Sequence, residues 1–295
     1  MAVVPCYRPD AAFPQRLARV AGQVARVVVV DDSGDGQASR LFALRSPQVT
    51  VIAHDANRGI GAALNTGVRD ALAGGADLVL TLDQDTMIPS DYVERAVAVI
   101  QSSTLDIGAV VAAEINGAGH VAYAVVDGVE LVRNAIQSGM VLTAACLREC
   151  GLFDERLFID VVDTEYCLRM RTHGLLIAVV PGTDLEHALG MSVPVRRSRL
   201  RPHRDPSAMF ATHPAWRQYY ISRNNVDVFL RYLRREPRWV GSSAKHELLS
   251  FWSAVVQRPG LGRYLLATGA GLAHGMVRRR GPIPPGLRRR LAGDD

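Results

Sequence analysis

The sequence predicts an α/β protein with a doubly wound, mostly parallel sheet and a C-terminal helical extension. Apolar runs of strand length alternate with helical patterns over residues 2–113, as expected for βαβ units in a parallel sheet. Acidic residues directly follow several of these runs, which is where parallel sheets bind ligands. After residue 213 the pattern changes to long helical segments separated by Pro237 and Pro259.

The individual elements follow from the apolar periodicity and the turn residues. Strands are predicted at residues 2–5, 26–30, 49–53, 78–82, 107–113, 121–126, 139–145 and 175–180. Helices are predicted at residues 13–23, 36–44, 62–73, 91–102, 164–171, 216–235, 239–257 and 261–277. Asp91 and Glu94 have the spacing of a capping box at the start of a helix. Residues 192–213, rich in proline and arginine, are predicted to form a mobile loop or linker.

The most informative stretch is the apolar run at residues 78–82, which leads directly into Asp83 and Asp85. A continuous apolar run of this length is typical of a strand buried on both faces. The two carboxylates would repel one another, and a hard divalent cation that also carries phosphate oxygens would compensate their charge. A solvated acidic turn after a strand is the alternative interpretation.

Polar clusters also follow other predicted strands. They are Asp31 with Asp32, then Asn57, and later Asp160, Asp163 and Glu165. Turn formation explains any one such cluster, but it explains the whole set poorly, because two clusters begin inside apolar strands. Together they predict a polar-ligand site at one edge of the sheet.

The composition is that of a soluble globular protein, with 48% hydrophobic and 21% charged residues among 295. No apolar run reaches the roughly 18 residues that a transmembrane helix needs, and the N-terminus lacks the basic region of a signal peptide. The four cysteines show neither a CxxC pair nor zinc-ligand spacing. We therefore expect reduced, mostly buried thiols in a cytoplasmic protein.

The net charge of +5 conceals a strong asymmetry along the chain. Residues 1–195 contain 14 basic and 23 acidic residues, whereas residues 196–295 contain 20 and 6. This predicts two parts: a catalytic domain at residues 1–195 and a basic helical region at residues 196–295. The basic part is suited to contact phosphate groups.

At this point the chain resembles the family 2 glycosyltransferases with the GT-A fold, and among them the bacterial rhamnosyltransferases. The matching motifs are VVDDSG at 29–34, NRGIGAALNTG at 57–67, LDQD at 82–85, GLFDE at 151–155, LFIDVVDTEYCLR at 157–169, EH at 186–187 and RN at 223–224. They occur in family order over about residues 1–225. Two positions depart from the family pattern, since Cys6-Tyr7-Arg8 replaces Thr-Tyr-Asn and Val162-Asp163 replaces Glu-Asp.

The resemblance implies a nucleotide-binding role for one group of residues. Asp31, with Asp32, would accept the imide N–H of uracil or thymine, and Asp83 would face the ribose or the metal. Arg223 would steady the diphosphate. The other implied nucleotide-binding residues are Pro5, Tyr7, Asn57 and Gly59. A capped turn remains the alternative for Asp31, and a solvent-facing arginine the alternative for Arg223.

The resemblance also implies the metal ligands and the catalytic base. Asp85 and His187 would bind Mg²⁺ or Mn²⁺, which neutralises the departing diphosphate. Asp163 would be the general base that deprotonates the acceptor hydroxyl. A structural histidine and a helix N-cap are the alternatives for His187 and Asp163, and Asp160 and Glu165 are the other candidates for the base.

The implied reaction is transfer of a sugar from a nucleotide donor to a cell-envelope glycan or lipid-linked acceptor. A single base without an enzyme nucleophile favours inversion. The resemblance points to dTDP-L-rhamnose among the dTDP- and UDP-sugars, and the methyl group of such a sugar needs an apolar contact, for which Phe158 and Met140 are candidates.

Two other functions remain open. One is a degenerate transferase that only binds nucleotide or a partner protein. The other is a haloacid dehalogenase-like phosphohydrolase, suggested by the DQDT motif at residues 83–86. That enzyme needs a later lysine, and the one lysine of the chain, Lys245, lies in a predicted C-terminal helix.

The basic C-terminal region has two interpretations. Apolar residues around Trp252 and arginine triplets at 278–280 and 288–290 suit docking on an anionic membrane, which predicts a peripheral location on the inner face of the plasma membrane. A helical cap or homodimer interface is the alternative. No nucleic-acid-binding motif accompanies the charge, so we expect no nucleic-acid partner.

Overall fold

The computed structural model describes residues 1–34, 41–187, 192–194, 209–211, 213–257 and 261–292. These residues form two compact units. The first contains residues 1–158 and 162–188, and the second contains residues 159–161 and 189–295. The predicted boundary between residues 195 and 196, and most of the helix predicted at 36–44, lie outside the described residues.

The first unit is built on one large sheet. Its strands are β1 Ala2–Cys6, β2 Val27–Asp31, β3 Val49–Ala53, β4 Leu78–Thr81, β5 Thr86–Met87, β6 Ile107–Ile115, β7 Ala118–Gly119, β8 Ala122–Val126, β9 Val129–Val132, β10 Met140–Thr143 and β11 Leu176–His187. The described helices of this unit are α1 Phe13–Ala21, α2 Ile60–Ala73, α3 Tyr92–Ser102, α4 Ala144–Cys150 and α5 Val162–Thr172. A 3-10 helix covers Glu155–Leu157.

The strand order is β3-β2-β1-β4-β10-β6-β11-β9-β8, with β5 paired to β11 and β7 to β6. Strands β3, β2, β1 and β4 run parallel, as do β6 and β11. Strand β2 is buried on both faces: Val27 and Val29 pack in the cluster that contains the apolar residues of α1 and α3, whereas Val28 and Val30 pack against Ala63 of α2. Helices therefore cover both faces of the sheet, which is the predicted doubly wound arrangement.

Among the differences from the sequence-based expectation, three concern strands β10 and β11 and helix α3. Strand β10 runs antiparallel between β4 and β6, because its long-range pairing overrides the βαβ rhythm. Strand β11 continues to His187 instead of ending at residue 180. Helix α3 does begin after Asp91, but the Asp91 side chain makes no cap hydrogen bond, so the predicted capping box is absent.

The second unit is mainly helical. It contains strands β12 Ser192–Pro194 and β13 Met209–Ala211 and helices α6 Ala215–Tyr232, α7 Pro237–Gln257, α8 Leu261–Met276 and α9 Pro285–Leu291. Strands β12 and β13 pair antiparallel, so the expectation of a loop over the whole of 192–213 is wrong at both ends. The short helix α9 was not expected from the sequence.

Close packing between α6 and α8 depends on two glycines. A Cβ atom at Gly271 would lie 2.6 Å from the Tyr219 carbonyl oxygen, and one at Gly275 would lie 2.6 Å from that of Arg223. The two glycines lie one turn apart on α8 and let its backbone approach α6. Among the described residues, no helix combines the length and apolar character that a membrane crossing requires.

Candidate functional site

Asp83, Asp85 and His187 form a cluster of possible metal ligands beyond the carboxyl end of β4. One ligand atom from each residue lies within 4.8 Å of those from the other two. The antiparallel pairing of β5 with the end of β11 places His187 opposite Thr86, which brings together side chains about a hundred residues apart in sequence. All three are partly exposed, so a ligand can reach them.

Hydrogen bonds from neighbouring uncharged residues hold the His187 side of this cluster in place. The Thr86 hydroxyl lies 2.8 Å from His187 Nδ1 and 2.7 Å from the Ser138 hydroxyl. The side-chain amide of Asn116 pairs with the His187 main chain, at 2.7 and 3.0 Å. Two carboxylates and an imidazole make a donor set that suits Mg²⁺ or Mn²⁺, so the residues present fit such an ion.

Gln137 connects the cluster to Asp163. Its Nε2 donates to Asp83 Oδ1 at 2.5 Å, and its main chain interacts with the Asp163 carboxylate. Burial raises the pKa of Asp163, although hydrogen bonds from Thr164 and the Gln137 main chain act against this rise. A carboxyl whose pKa is raised toward the working pH is suited to act as a general base.

Asp163 lies inside the first turn of α5, which begins at Val162. The alternative interpretation of Asp163 as the residue that caps a helix starting at Thr164 is therefore wrong in its register. Its carboxylate does accept the Thr164 N–H at 2.7 Å, so it also contributes to the helix start.

The two competing candidates for the base are held by arginines. Glu165 is buried and pairs with Arg169 one turn later, with nitrogen–oxygen distances of 3.2 and 2.5 Å. Asp160 receives two hydrogen bonds from Arg217 Nε, at 2.9 and 3.2 Å. In both residues the arginine occupies carboxylate oxygens that a general base needs for the acceptor hydroxyl. Of the three acids, Asp163 is thus the one best suited to be the base.

The chain leading into α5 has an unusual backbone. Phe158, Asp160 and Val161 have φ angles of +70°, +64° and +65°, a region that non-glycine residues, and β-branched ones above all, rarely adopt. Asn224 of α6 donates to the carbonyl oxygens of Ile159 and Asp160, at 2.8 and 2.9 Å. Such outliers persist where surrounding contacts over-determine the backbone, and they concentrate at functional sites.

A pocket of about 260 Å³ lies beside the end of β2. Asp31 and Ser33 contribute polar groups, and the apolar part of the lining includes Phe13, Leu41 and Leu44. Asp31 is almost fully buried, and its Oδ1 accepts the Ser33 N–H at 2.9 Å. A buried carboxylate in an apolar cleft fits a flat heterocycle that carries an N–H donor.

Asp32 holds the polypeptide around it. Its Oδ1 accepts the Arg58 N–H and lies 2.8 Å from His54 Nδ1, and its Oδ2 accepts the Gly59 N–H. Asn57 also accepts the Gly59 N–H. These contacts make Asp32 a support for the 54–59 loop. The predicted nucleotide contacts of Asp32 and Asn57 stay predictions.

Several motif residues support the fold, and the predicted nucleotide contact of Gly59 stays a prediction. Gly59 has a φ of +91°, and a Cβ atom there would lie 2.4 Å from the Phe158 carbonyl oxygen. Asn65, on α2, is buried. Its Nδ2 donates to the Phe153 carbonyl oxygen and its Oδ1 accepts the Phe153 N–H, at 2.9 Å each. Its Nδ2 also donates to Glu155 Oε1. The NRGIGAALNTG motif therefore ties α2 to the GLFDE motif.

The N-terminal site residues lie at the end of β1. Pro5 is buried in the strand, opposite Val30 of β2, and Tyr7 is 45% exposed just beyond it. The Arg8 guanidinium lies 5.4 Å from the centre of the Tyr7 ring. An exposed aromatic ring near the Asp31 pocket is compatible with the predicted nucleotide contact.

Arg223 lies in the second unit and is buried, which rules out the interpretation as a solvent-facing arginine. Its guanidinium donates to Asn224 Oδ1 and to the Gly281 carbonyl oxygen and lies 4.9 Å from the centre of the Tyr220 ring. Burial lowers its pKa. The contact of Arg223 with a diphosphate stays a prediction.

Met140, one of the two apolar residues considered for the sugar methyl group, is fully buried in β10, so that suggestion is wrong for Met140. Phe158 is partly exposed. Sequence analysis also missed Gln137, Ser138, Thr86 and Asn116 as parts of the site, because these uncharged polar residues carry no recognisable spacing signal.

Comparisons with known proteins agree with the resemblance to glycosyltransferases. Residues 1–123 match the model of the family "Glycosyl transferase family 2". A dTDP-rhamnosyl transferase, RfbF of Shigella flexneri, is 27% identical over 209 residues, which are 64% of this chain and 69% of that protein.

Solved structures match at the level of the fold. GalNAc-T7, crystallised with UDP, GalNAc and Mn²⁺, superposes with a TM-score of 0.56 at 13% identity, covering 94% of this chain and 55% of that chain. S. aureus TarS 1–349 in complex with UDP-GlcNAc superposes with a TM-score of 0.53 at 17% identity, covering 92% of this chain and 79% of that chain. The matches together confirm the predicted GT-A fold, the resemblance to the family 2 glycosyltransferases, and glycosyltransferase as the class of enzyme.

Proposed function

We propose that this protein is an inverting, metal-dependent glycosyltransferase that moves L-rhamnose from dTDP-L-rhamnose to a cell-envelope glycan or lipid-linked acceptor. The observation that carries the proposal is the chain of contacts from the cluster of Asp83, Asp85 and His187 through Gln137 to Asp163. It joins a site for a cation and diphosphate to a carboxyl suited to be a general base.

Asp85 and His187, with Asp83, would hold Mg²⁺ or Mn²⁺. Such an ion supplies positive charge next to the leaving diphosphate. The three side chains of this cluster are partly exposed and bring one ligand atom each to within 4.8 Å of the others, whereas Asp160 and Glu165 are paired with arginines. The cluster is therefore the place where the described residues favour an added cation.

The proposed reaction is a single displacement. The acceptor hydroxyl oxygen forms a bond to the anomeric carbon as the bond between that carbon and the diphosphate oxygen breaks. The diphosphate leaves with the bonding electron pair, and Asp163 takes the hydroxyl proton. One displacement inverts the configuration of the anomeric carbon.

The choice of donor is supported by the similarity to a dTDP-rhamnosyl transferase and by the apolar lining of the Asp31 pocket. Phe13, Leu41 and Leu44 offer apolar surface to the methyl group of thymine, which uracil lacks. The carboxylate of Asp31 would accept the imide N–H of either base.

The donor is tested by competition among dTDP-rhamnose, UDP-glucose, UDP-galactose and GDP-mannose, with and without EDTA. NMR of the product gives the anomeric configuration. We expect dTDP-rhamnose to be preferred, EDTA to stop turnover and the product to be inverted. Preference for a UDP-hexose would refute the donor, and a retained configuration would refute the mechanism. Tight binding of nucleotide without turnover by any donor would support the degenerate transferase.

We further propose that the second unit contacts an anionic membrane surface, on the inner face of the plasma membrane, where a lipid-linked acceptor would be available. Leu265, Leu272 and Met276 lie on one face of α8 and are 43%, 45% and 72% exposed. A different side of the helix, with Gly271 and Gly275, packs on α6. The exposed arginines of this unit include Arg278, Arg279, Arg288, Arg289 and Arg290. Apolar side chains beside arginines favour binding to anionic lipids.

Sedimentation with liposomes containing anionic lipid tests this contact. Deletion of residues 240–295 is unsuitable, because it removes α8 from its packing on α6. Leu272→Glu should lower the bound fraction by about tenfold at low salt, whereas Val125→Glu, at an exposed position of β8 in the first unit, serves as the control. If the wild type stays in the supernatant, the proposed membrane contact is refuted. Light scattering would then test the alternative, a homodimer formed through the exposed face.

A further inference from the structure

Gln84 lies between Asp83 and Asp85 and holds the chain that follows β1. Its Oε1 accepts the Tyr7 N–H at 2.7 Å, and its Nε2 donates to the Tyr7 carbonyl oxygen at 3.1 Å. Strands β1 and β4 pair at Ala2 and Val3, and β4 ends at Thr81. Beyond that point, the amide of Gln84 supplies the two hydrogen bonds that a neighbouring strand would otherwise make with Tyr7.

The main chain of Gln84 is held as well. Its carbonyl oxygen accepts Arg16 Nε at 2.7 Å, and another nitrogen of Arg16 pairs with Asp10 Oδ1 at 2.5 Å. On the other side, the Arg8 N–H donates to the Ser33 hydroxyl at 2.9 Å. The segment from Tyr7 to Asp10 is thus fixed at both sides, and Asp10 and Ser33 line the same pocket as Asp31.

We propose that Gln84 is a positioning residue that couples the metal-ligand segment to the nucleobase pocket by fixing the Tyr7–Asp10 wall. This inference rests on the proposed function, because it presumes that the pocket takes the base of a nucleotide donor. Gln84 differs from its neighbours in role: Asp83 and Asp85 offer ligand oxygens, whereas the Gln84 side chain turns to Tyr7.

The contacts predict which property should change. The bonds that hold the metal-ligand cluster come from Thr86, Ser138, Gln137 and Asn116, and none of these involves Gln84. Loss of the Gln84 amide should therefore loosen the pocket wall while the ligand atoms and Asp163 keep their places. Donor affinity should fall, and the chemical step at saturating donor should not.

Gln84→Met is the test variant, because methionine keeps the length of the side chain and removes both hydrogen bonds. Gln23→Met is the matched control. Gln23 belongs to the same unit, is also partly exposed, donates to the Pro89 carbonyl oxygen at 2.8 Å and accepts the Val93 N–H at 3.1 Å. Gln23 Nε2 also donates to the Arg19 carbonyl oxygen at 3.3 Å, so the control removes at least as many bonds to the main chain as Gln84→Met does.

Calorimetry with dTDP in the presence of Mn²⁺, calorimetry with Mn²⁺ alone, and steady-state kinetics give the readouts. Two hydrogen bonds of ordinary strength correspond to about a tenfold change in affinity. We expect Gln84→Met to weaken dTDP binding and raise the donor KM about tenfold, with Mn²⁺ affinity and kcat within about twofold of wild type. Gln23→Met should leave all four quantities within about twofold.

Unchanged dTDP affinity and KM in Gln84→Met would overturn the inference. An equal loss in both variants would also overturn it, because the effect would then be general destabilisation. A fall in kcat at unchanged KM would do the same, since Gln84 would then act on the chemical step. Failure of the wild type itself to bind dTDP or UDP would instead refute the proposed function, and that result is recognised without any variant.

Discussion

Asp163→Asn separates the catalytic role of this carboxyl from its effect on stability. Asparagine has nearly the same shape but cannot take a proton from the acceptor hydroxyl. Loss of a general base costs about 10²- to 10⁴-fold in rate, which is about 3–5 kcal/mol of transition-state stabilisation. We expect kcat to fall by at least about 10²-fold and the donor KM to stay within about twofold, because the proposed donor contacts lie elsewhere.

The stability should change in the opposite direction. Burial raises the pKa of Asp163 in the folded protein, so the ionised carboxylate costs the fold free energy at any pH above that pKa. The neutral amide avoids this cost, at about 1.4 kcal/mol for each pKa unit of the shift. The variant should therefore melt at the same or a higher temperature than wild type at pH 7–8. This advantage should shrink as the pH falls below the folded-state pKa and should be lost near the pKa of an ordinary aspartate.

Glu165→Gln should show the opposite effects to Asp163→Asn, with lower stability and a nearly normal kcat. Glu165 is buried with its partner Arg169, and loss of one partner of a buried ion pair costs about 3–5 kcal/mol. Arg169 also donates to the carbonyl oxygens of Cys150 and Leu152, so the lower figure applies. A loss of about 3 kcal/mol lowers the Tm of a unit of this size by about 6–12 °C, while kcat at a permissive temperature should stay near that of wild type.

Single-turnover kinetics and calorimetric melting of both variants, at several pH values, test this reasoning. The wild-type rate should fall on the acid side at a higher pH than an ordinary aspartate would give, because Asp163 must lose its proton to act. Near-normal kcat in Asp163→Asn together with a crippled Glu165→Gln enzyme that still melts normally would refute the assignment of the base.

Three further predictions concern the site and its support. Asp85→Ala should abolish turnover that depends on added Mn²⁺ and leave the melting temperature within a few degrees; full activity in this variant and in EDTA would refute the metal site. Gly59→Ala should destabilise the fold by about 2 kcal/mol or more, because its φ is +91° and the new Cβ would meet the Phe158 carbonyl oxygen, as denaturant unfolding would show. Asn65→Ala should cost about 2–4 kcal/mol by leaving Phe153 main-chain groups unpaired. It should also raise the pKa of Glu155: burial alone would raise that pKa, but hydrogen bonds from Asn65 and Arg69 keep it lowered, and NMR titration would reveal the change.

Local sequence patterns were sufficient for much of the fold. The apolar run of β4 and the acids after it carry their information within a few residues, because a buried strand needs a continuous apolar stretch and its carboxyl end faces the ligand edge. Strand β3 was predicted with its observed bounds, Val49–Ala53, for the same reason. The order of modest motifs, rather than any one of them, predicted the family.

Long-range pairing decided what local patterns could not. Strand β10 enters the sheet antiparallel between β4 and β6, and β11 extends far enough to place His187 beside Thr86. Neither event leaves a trace in the periodicity of the strand concerned, since both depend on partners about 60 to 100 residues away in the chain.

The sequence by itself predicted which residues could do chemistry. The acids after β2 and β4 were predicted from their types and their positions after apolar runs, which are local properties, and Asp163 and His187 from the resemblance to the family 2 glycosyltransferases. The tertiary structure decided how they are used. It gave Asp32 and Asn65 hydrogen bonds to distant loops, paired Asp160 and Glu165 with arginines, and placed Gln137 between Asp83 and Asp163. The physical reason is that a side chain's hydrogen-bond partners depend on where distant segments meet, and only the packed sheet and helices bring those segments together.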